Sequence, residues 1–443
     1  MKKLHLISLG CAKNLVDSEV MLGRLNDYEI ISEIQDADVI IVNTCGFIGD
    51  AKKESLDAIF EADSKRKKDA ILVVSGCLTE RYKDEIAELI PEVDIFTGVG
   101  DYAKIDQLIA AKKSEFSNEV FLLNEEKRVI TGSSYHAYIK IAEGCNQQCS
   151  FCAIPQFKGK LHSRTIESIV KELKRLTDNG YFDFTFIAQD TSSFYRDLEV
   201  KDGLIKLIDE VERVSRIKRA RICYLYPSTL SKNTIDRIAD SAIFAPYFDM
   251  PIQHISDSVL KVMKRGLDAK KTMKLIEKMR SVKNSYLRTS FIVGHPYEND
   301  NDFAQIRDLI SSEIFDRVNV FAFSKEERTA SFDMPEIDAR ARRSRMKAAE
   351  KAVKSLHAKK LKAMIGREID AVIDGESAES EYLIAAKNLD FAPEIDPPIL
   401  INDSEITLPN GEIAPIPPRQ IVRAKITATT NSALIATLVG QSH

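Results

Sequence analysis

The sequence predicts an α/β protein in three parts: an N-terminal parallel α/β domain, a central open (β/α)6 barrel and a small C-terminal antiparallel β-barrel. Three observations predict it. Continuous apolar runs alternate with amphipathic helical patterns as far as residue 323, the signature of parallel strands covered on both faces. A long basic helical stretch follows. After Gly366 the pattern changes to short strand-like pieces among Pro and Gly. At 443 residues, two or three domains are expected.

Residues 1–115 read as βα repeats, with strands at Leu4–Leu9, Val39–Val42 and Ile71–Val74 and helices such as Ser55–Ala62 and Glu80–Leu89. A second series, residues 131–335, offers strands at Tyr138–Ile141, Phe184–Ala188, Ala220–Leu225, Phe248–Ile252, Leu287–Val293 and Val318–Phe323. Helical patterns between them include Ile166–Leu176, Leu204–Val214 and Ala269–Met279. Six βα units fall short of the eight that close a full barrel. Residues 336–364 form a linker whose helix, Ala339–Met364, carries ten Lys or Arg and one acid, Glu350, with Met346, Ala349, Val353, Leu356 and Met364 at packing intervals. Residues 365–443 supply strand pieces Glu368–Ile373, Tyr382–Ala386, Ile399–Ile401 and Ile421–Ala428.

The apolar fraction of 44% and charged fraction of 29% are those of a soluble protein, and a net charge of −4 gives no global attraction to nucleic acid or membrane. No run approaches the roughly 18 apolar residues of a membrane span. The segment Met1-Lys2-Lys3-Leu4 lacks the flanks of a signal peptide. A cytoplasmic protein is expected, in which disulfides are rare, so seven cysteines point to metal or redox chemistry.

Cys145, Cys149 and Cys152 have the spacing C-x3-C-x2-C, close enough for one loop to hold three corners of an iron–sulfur cube. An ordinary 4Fe–4S cluster takes four thiolates, so three leave one iron open. Zinc would need a fourth ligand, and the nearest histidine, His162, stands ten residues past Cys152. Cys11, Cys45 and Cys77 each follow a predicted strand and are separated by 34 and 32 residues. Topology would bring them to one sheet edge, where open α/β sheets bind ligands. On spacing alone they are as readily small apolar residues at strand ends. Cys223, within Arg221-Ile222-Cys223-Tyr224, reads as packing. Functional residues of the barrel are expected after its strands, at Gln189-Asp190, Pro227 and Gln253-His254. His254 reads first as a hydrogen-bonded structural histidine.

The C-x3-C-x2-C run, with Phe151 just before its last cysteine, resembles the radical S-adenosylmethionine superfamily. That resemblance implies a six-unit radical-SAM barrel and an open iron that chelates S-adenosylmethionine. One electron then cleaves the sulfonium, and the resulting radical abstracts hydrogen from an unactivated carbon. It also points to Phe151, Gln189, Gly294 and Glu298 as cofactor-binding residues. Ser8-Leu9-Gly10-Cys11-Ala12-Lys13-Asn14-Leu15-Val16-Asp17-Ser18-Glu19, Asn43-Thr44-Cys45 and Ser75-Gly76-Cys77 resemble the N-terminal domain of the methylthiotransferases. In that family the three cysteines hold an auxiliary 4Fe–4S cluster, making two clusters in all.

Within the family, Leu9 to Asp17, Ala188-Gln189-Asp190-Thr191, Tyr224-Leu225-Tyr226-Pro227, Asp249 to His254 and Val320-Phe321-Ala322-Phe323-Ser324 resemble the branch that modifies an aspartate of ribosomal protein S-twelve, RimO-type. The tail takes the place of the family's substrate-binding TRAM domain. From Ile365 to His443 there are five Lys or Arg against twelve Asp or Glu, a balance of −7. Transfer RNA calls for a basic module, whereas an acidic one suits a basic ribosomal protein. The resemblance implies methylthio transfer to the aspartate β-carbon, an external electron donor, and no membrane partner; the sulfur source is left open. The rival readings are a transfer-RNA adenosine methylthiotransferase and a non-enzymatic iron–sulfur electron carrier. Two departures stand out: Gly294-His295-Pro296-Tyr297-Glu298 where the family usually reads a Gly-Phe-Pro-Gly-Glu-like run, and Lys158-Gly159 in place of Arg-Gly.

Overall fold

A computed structural model describes residues 1–123, 128–377, 380–402, 405–407 and 413–441. Strands β1 (Lys2–Ser8), β2 (Tyr28–Ile30), β3 (Val39–Thr44), β4 (Ile71–Gly76) and β5 (Ile95–Phe96) form a parallel sheet in the order β2-β1-β3-β4-β5. Every residue of β3 is buried, as a strand covered on both faces requires. The short β2 and β5 escape sequence reading because each offers too few apolar residues to make a run.

The expected helix Glu80–Leu89 is two pieces, Cys77–Arg81 and Ile86–Leu89. Thr79 and Arg81 turn inward in the first piece, Thr79 Oγ1 donating to the carbonyls of Gly76 and Thr97 and Arg81 pairing with buried Glu326 at 2.7 Å. These tertiary bonds override the continuous helical pattern.

A two-strand ribbon, β7 (Ala142–Glu143) and β8 (His162–Ser163), brackets the second cysteine loop. The central sheet contains β6 (His136–Lys140), β9 (Asp183–Ile187), β10 (Arg219–Ile222), β11 (Phe244–Asp249), β12 (Tyr286–Val293) and β13 (Arg317–Ala322). All its pairs are parallel and the order is β13-β12-β11-β10-β9-β6, so the array stays open between β6 and β13. Strand β10 ends earlier than the apolar run because Tyr224 adopts a left-handed φ of 63°. Strand β11 begins four residues before the expected Phe248–Ile252 and ends three residues before that stretch does.

The basic helix, Ala339–Lys362, packs along β13 and the helix Asp300–Ser311. Leu356 joins the barrel core, Ala349 packs with Val293 and Phe303, and Leu361 enters the core of the tail. One face thus covers the open edge, while Arg340, Arg343, Lys347, Lys351 and Lys354 remain exposed.

The tail is a closed barrel of β14 (Glu368–Ser377), β15 (Ser380–Asn388), β16 (Ile399–Ile401), β19 (Ile421–Thr429) and β20 (Leu434–Gln441), with β17 (Glu405–Thr407) and β18 (Ile413–Pro415) as a separate ribbon. It departs from the antiparallel expectation at one pair, β16 and β20, which run parallel. Part of its acidic charge, at Glu379, Asp403 and Glu412, lies outside the described residues. No helix among the described residues is long and apolar enough to cross a membrane.

Candidate functional site

The register of the N-terminal sheet aligns the ends of three neighbouring strands: Ser8 opposite Asn43, Asn43 opposite Ser75, and Thr44 opposite Gly76. Cys45 and Cys77 follow those ends directly, and Cys11 follows β1 after Leu9 and Gly10. The backbones approach so closely that a methyl group at Gly10, φ 87°, would stand 2.7 Å from Cys45 Cβ and 2.9 Å from its Sγ. Gly76, φ 106°, has no more room, since its added carbon would meet Asn43 Oδ1 at 2.4 Å. Asn14 and Asn43, both buried, brace the loops: Asn14 Nδ2 donates to the carbonyls of Leu9 at 2.7 Å and Asn43 at 3.3 Å, and Asn43 Nδ2 to that of Asn14 at 3.0 Å. Ser55 clamps Cys45, accepting from its N–H at 3.0 Å and donating to its carbonyl at 2.9 Å.

The second loop is as tightly placed. An added carbon at Gly144, φ 78°, would meet the Lys160 carbonyl oxygen at 2.0 Å, and the Cys145 N–H donates to the Gly159 carbonyl at 3.1 Å. Hydrogen-bond donors face the sulfurs. Arg265 Nη1 donates to Cys149 Sγ at 3.3 Å, the Tyr226 hydroxyl is 3.4 Å from the same sulfur, and the Gln147 N–H donates to Cys145 Sγ at 3.4 Å. Arg265 is itself fixed by the Pro251 carbonyl at 2.6 Å and the Tyr226 ring 4.0 Å below it. Gln147 reaches Asp190 at 2.8 Å, tying the loop to the end of β9.

All seven cysteines are free. Burial pushes the thiols of Cys145 and Cys152 up to about 12 and those of Cys45 and Cys77 above the ordinary thiol value. A metal that binds them must displace protons, so metal binding and deprotonation are linked here. Cys223 is fully buried in the apolar cluster shared by the N-terminal sheet and the barrel.

Between the two loops lies a buried ionic square that sequence reading missed. Lys140 pairs with Asp17 and, at 2.8 Å, with Glu143; Lys158 reaches Asp17 at 3.2 Å and Glu143 at 3.4 Å. Burial opposes the Glu143 charge, but Lys140 and Lys158 outweigh it and hold the carboxylate below its usual range. Asp17 belongs to the helix that starts at Cys11, and Glu143 immediately precedes Gly144-Cys145. The square therefore ties the two cysteine loops together.

A family model described as the Radical SAM superfamily matches residues 139–310, and one described as Uncharacterized protein family UPF0004 matches residues 3–98. The chain is 54% identical over 440 residues to the ribosomal protein uS12 methylthiotransferase RimO of Sulfurovum sp. (strain NBC37-1), covering 99% of this chain and 98% of that one. It is 56% identical over 406 residues to RimO of a Nitratiruptor species, covering 91% and 93%. RimO of Campylobacter jejuni (strain RM1221) is also 56% identical, covering 91% and 92%. The chain belongs to the RimO family. Among solved structures, the radical S-adenosylmethionine methyltransferase TsrM of Kitasatospora setae aligns at a TM-score of 0.56 and 14% identity, covering 75% of this chain and 74% of that one, a likeness of fold.

The remaining expected residues line the mouth of this RimO-family barrel. Gln189 follows β9 and donates from Nε2 to Glu143 Oε1. Phe151 stands edge-on to His295, their rings 6.3 Å apart. His295 fills a buried aromatic slot against Phe323 and holds Pro296 O at 3.0 Å and Ser331 Oγ at 3.2 Å, and burial lowers its pKa to about 4. Tyr297, where the family usually has Gly, keeps a left-handed φ of 67° with its side chain 58% exposed.

Glu298 is fully buried and spent inside the protein. It accepts from the Gly294 N–H at 2.9 Å and from Arg345 at 2.7 Å, and stands 3.4 Å from His254 Nε2. These bonds organise the 294–298 loop. Arg345 belongs to the basic helix, so one cation of that helix works inside the barrel mouth. His254 is structural as expected, its Nδ1 accepting from the N–H groups of Ile255 and Ser256.

Proposed function

We propose that this chain transfers a methylthio group to the β-carbon of one aspartate in ribosomal protein uS12. The observation that carries the reading is the near full-length identity to uS12 methylthiotransferases. In this reading Cys145, Cys149 and Cys152 hold a 4Fe–4S cluster with one iron open for S-adenosylmethionine, and Cys11, Cys45 and Cys77 hold a second. Fit supports it: each triplet is free of disulfides and lies on glycines that have no space for a Cβ, and the second triplet has donors aimed at its sulfurs. When bound, these groups supply one-electron cleavage of S-adenosylmethionine, hydrogen abstraction and the methylated sulfur, with electrons from an external reductant.

The chain's own residues place and shield that chemistry. Arg265, Tyr226 and the Gln147 N–H orient the thiolates and offset their negative charge. The ionic square of Asp17, Lys140, Glu143 and Lys158 holds the two cysteine loops in one relative position. Phe151, Gln189 and the loop from Gly294 to Glu298 line the place where S-adenosylmethionine is bound. The acidic tail attracts a basic ribosomal protein. The domain division is 1–115, 131–335, 336–364 and 365–443, with the last part the substrate-docking, TRAM-like module.

The test is product mass. Anaerobically reconstituted enzyme is incubated with S-adenosylmethionine, reductant and a sulfide source, together with either uS12 or transfer RNA. A methylthio mass gain on one uS12 aspartate is expected. A gain on RNA with none on protein defeats the reading.

A further inference from the structure

Three lysines are buried around the two cysteine loops, and two of them are neutralised: Lys140 and Lys158 each contact both Asp17 and Glu143. The third is not. Lys13, two residues past Cys11, is only 8% exposed; among the described residues no carboxylate stands within ion-pair distance of its ammonium, and Tyr224, Cys11, Glu143 and Asp249 favour its charge from further off. Its Nζ lies 3.4 Å from the centroid of the Tyr224 ring. A cation held on an aromatic face keeps one side free for an anion, and a buried charge without a partner is costly to maintain.

The ring beneath it is also held with effort. Tyr224 keeps a left-handed φ of 63°, a conformation that aromatic residues avoid and that clusters at functional sites. It is pinned from both neighbouring strands: its N–H donates to Asp249 Oδ2 at 3.1 Å and its carbonyl accepts from the Thr191 N–H at 3.1 Å. Asp249 itself is occupied by Arg288 at 3.2 Å. Tyr224 lies just past the end of β10, where parallel barrels bind substrate. The free ammonium thus stands at the barrel mouth beside the first cysteine of the N-terminal triplet.

We propose that Lys13 is a specificity-determining residue that binds the carboxylate of the substrate aspartate, with Tyr224 as its floor. The proposal rests on the reading of uS12 as substrate and deepens it. A carboxylate oxygen arriving at Lys13 supplies the direct ion pair that no side chain makes, while a neutral asparagine cannot. Charge recognition of this kind also fixes the direction of the side chain, because the carboxylate is held at one end and its CH2 is left free. The same ammonium could take the carboxylate of S-adenosylmethionine, and the experiment separates the two sources.

The full-length reconstituted enzyme and its Lys13→Met and Lys13→Arg variants are titrated with uS12, with uS12 whose target aspartate is changed to asparagine, and with S-adenosylmethionine. Wild type is expected to bind the aspartate form on the order of 30-fold tighter than the asparagine form. Lys13→Met erases that preference and Lys13→Arg keeps part of it, with iron content, Tm and S-adenosylmethionine affinity at wild-type values. The proposal is overturned if Lys13→Met still discriminates, if it loses iron, or if S-adenosylmethionine affinity falls in place of the preference for aspartate. Wild type that binds neither form of uS12 refutes the substrate reading itself, a result distinct from the other three.

Discussion

Replacing Arg345 by Met removes a cation from inside the barrel mouth. Its Nη1 donates to Glu298 Oε1 at 2.7 Å and to the Glu298 carbonyl at 2.9 Å, and its Nη2 meets Asp300 at 2.7 Å. The Asp300 arm is 95% exposed and contributes about 1 kcal/mol at most. The Glu298 arm joins side chains 10% and 0% exposed. Without Arg345 the Glu298 carboxylate stays buried with the Gly294 N–H and His254 as its company. Breaking a buried pair by removing one partner costs about 3–5 kcal/mol, and the 10% exposure of Arg345 sets this one at the lower end, a loss of about 3 kcal/mol. That corresponds to a drop in Tm of roughly 6–12 °C. The assay is thermal and urea unfolding of Arg345→Met beside Arg343→Met, an exposed cation on the same helix whose loss should stay within about 0.5 kcal/mol. A cycle with Glu298→Gln should show coupling of at least about 1 kcal/mol. Equal effects of the two arginine substitutions, or additivity in the cycle, would refute the reasoning.

Gly10→Ala places a methyl group 2.7 Å from Cys45 Cβ at a left-handed position; iron analysis should show loss of the N-terminal triplet's share while the other is kept. Arg265→Met removes a charged donor from Cys149 Sγ, and the midpoint potential of the cluster on that loop should move negative in a redox titration, because hydrogen bonds to sulfur and nearby positive charge raise it. His357 accepts from the Val318 N–H at 3.1 Å, and burial with Arg317 nearby lowers its pKa to about 4 from an ordinary 6.5. Its folded pKa is the depressed one, so its contribution is full above pH 6.5 and is lost as pH falls toward 4. Stability against pH should therefore fall less steeply across that window in His357→Gln than in wild type.

Most strands of the two parallel sheets were legible as apolar runs long enough to stand out, whereas β2 and β5 were too short to make one. Where a run was broken by backbone strain, at Tyr224, its end was misplaced, since a left-handed φ in a non-glycine residue leaves no compositional trace. The six cysteines were legible for opposite reasons: one triplet is local in sequence, the other is collected by strand order. Their supporting residues were not. Asp17 and Lys140 are 123 residues apart, and Arg81 and Glu326 are 245 apart, so neither pair has a local signature. One clue was available: a lysine inside the apolar stretch of β6, and an aspartate on the buried face of the first helix, must find each other or an equivalent partner. The packing face of the basic helix was legible from its apolar spacing, while the inward role of Arg345 among ten cations was not, because composition does not distinguish it from its exposed neighbours.

Iron stoichiometry tests the central claim, that two thiol triplets each hold one cluster beside a shared space, most directly. Anaerobic reconstitution should yield about eight irons per chain, and Cys45→Ala and Cys149→Ala should each lower that to about four. About four irons in wild type, or a full complement in either variant, would contradict it.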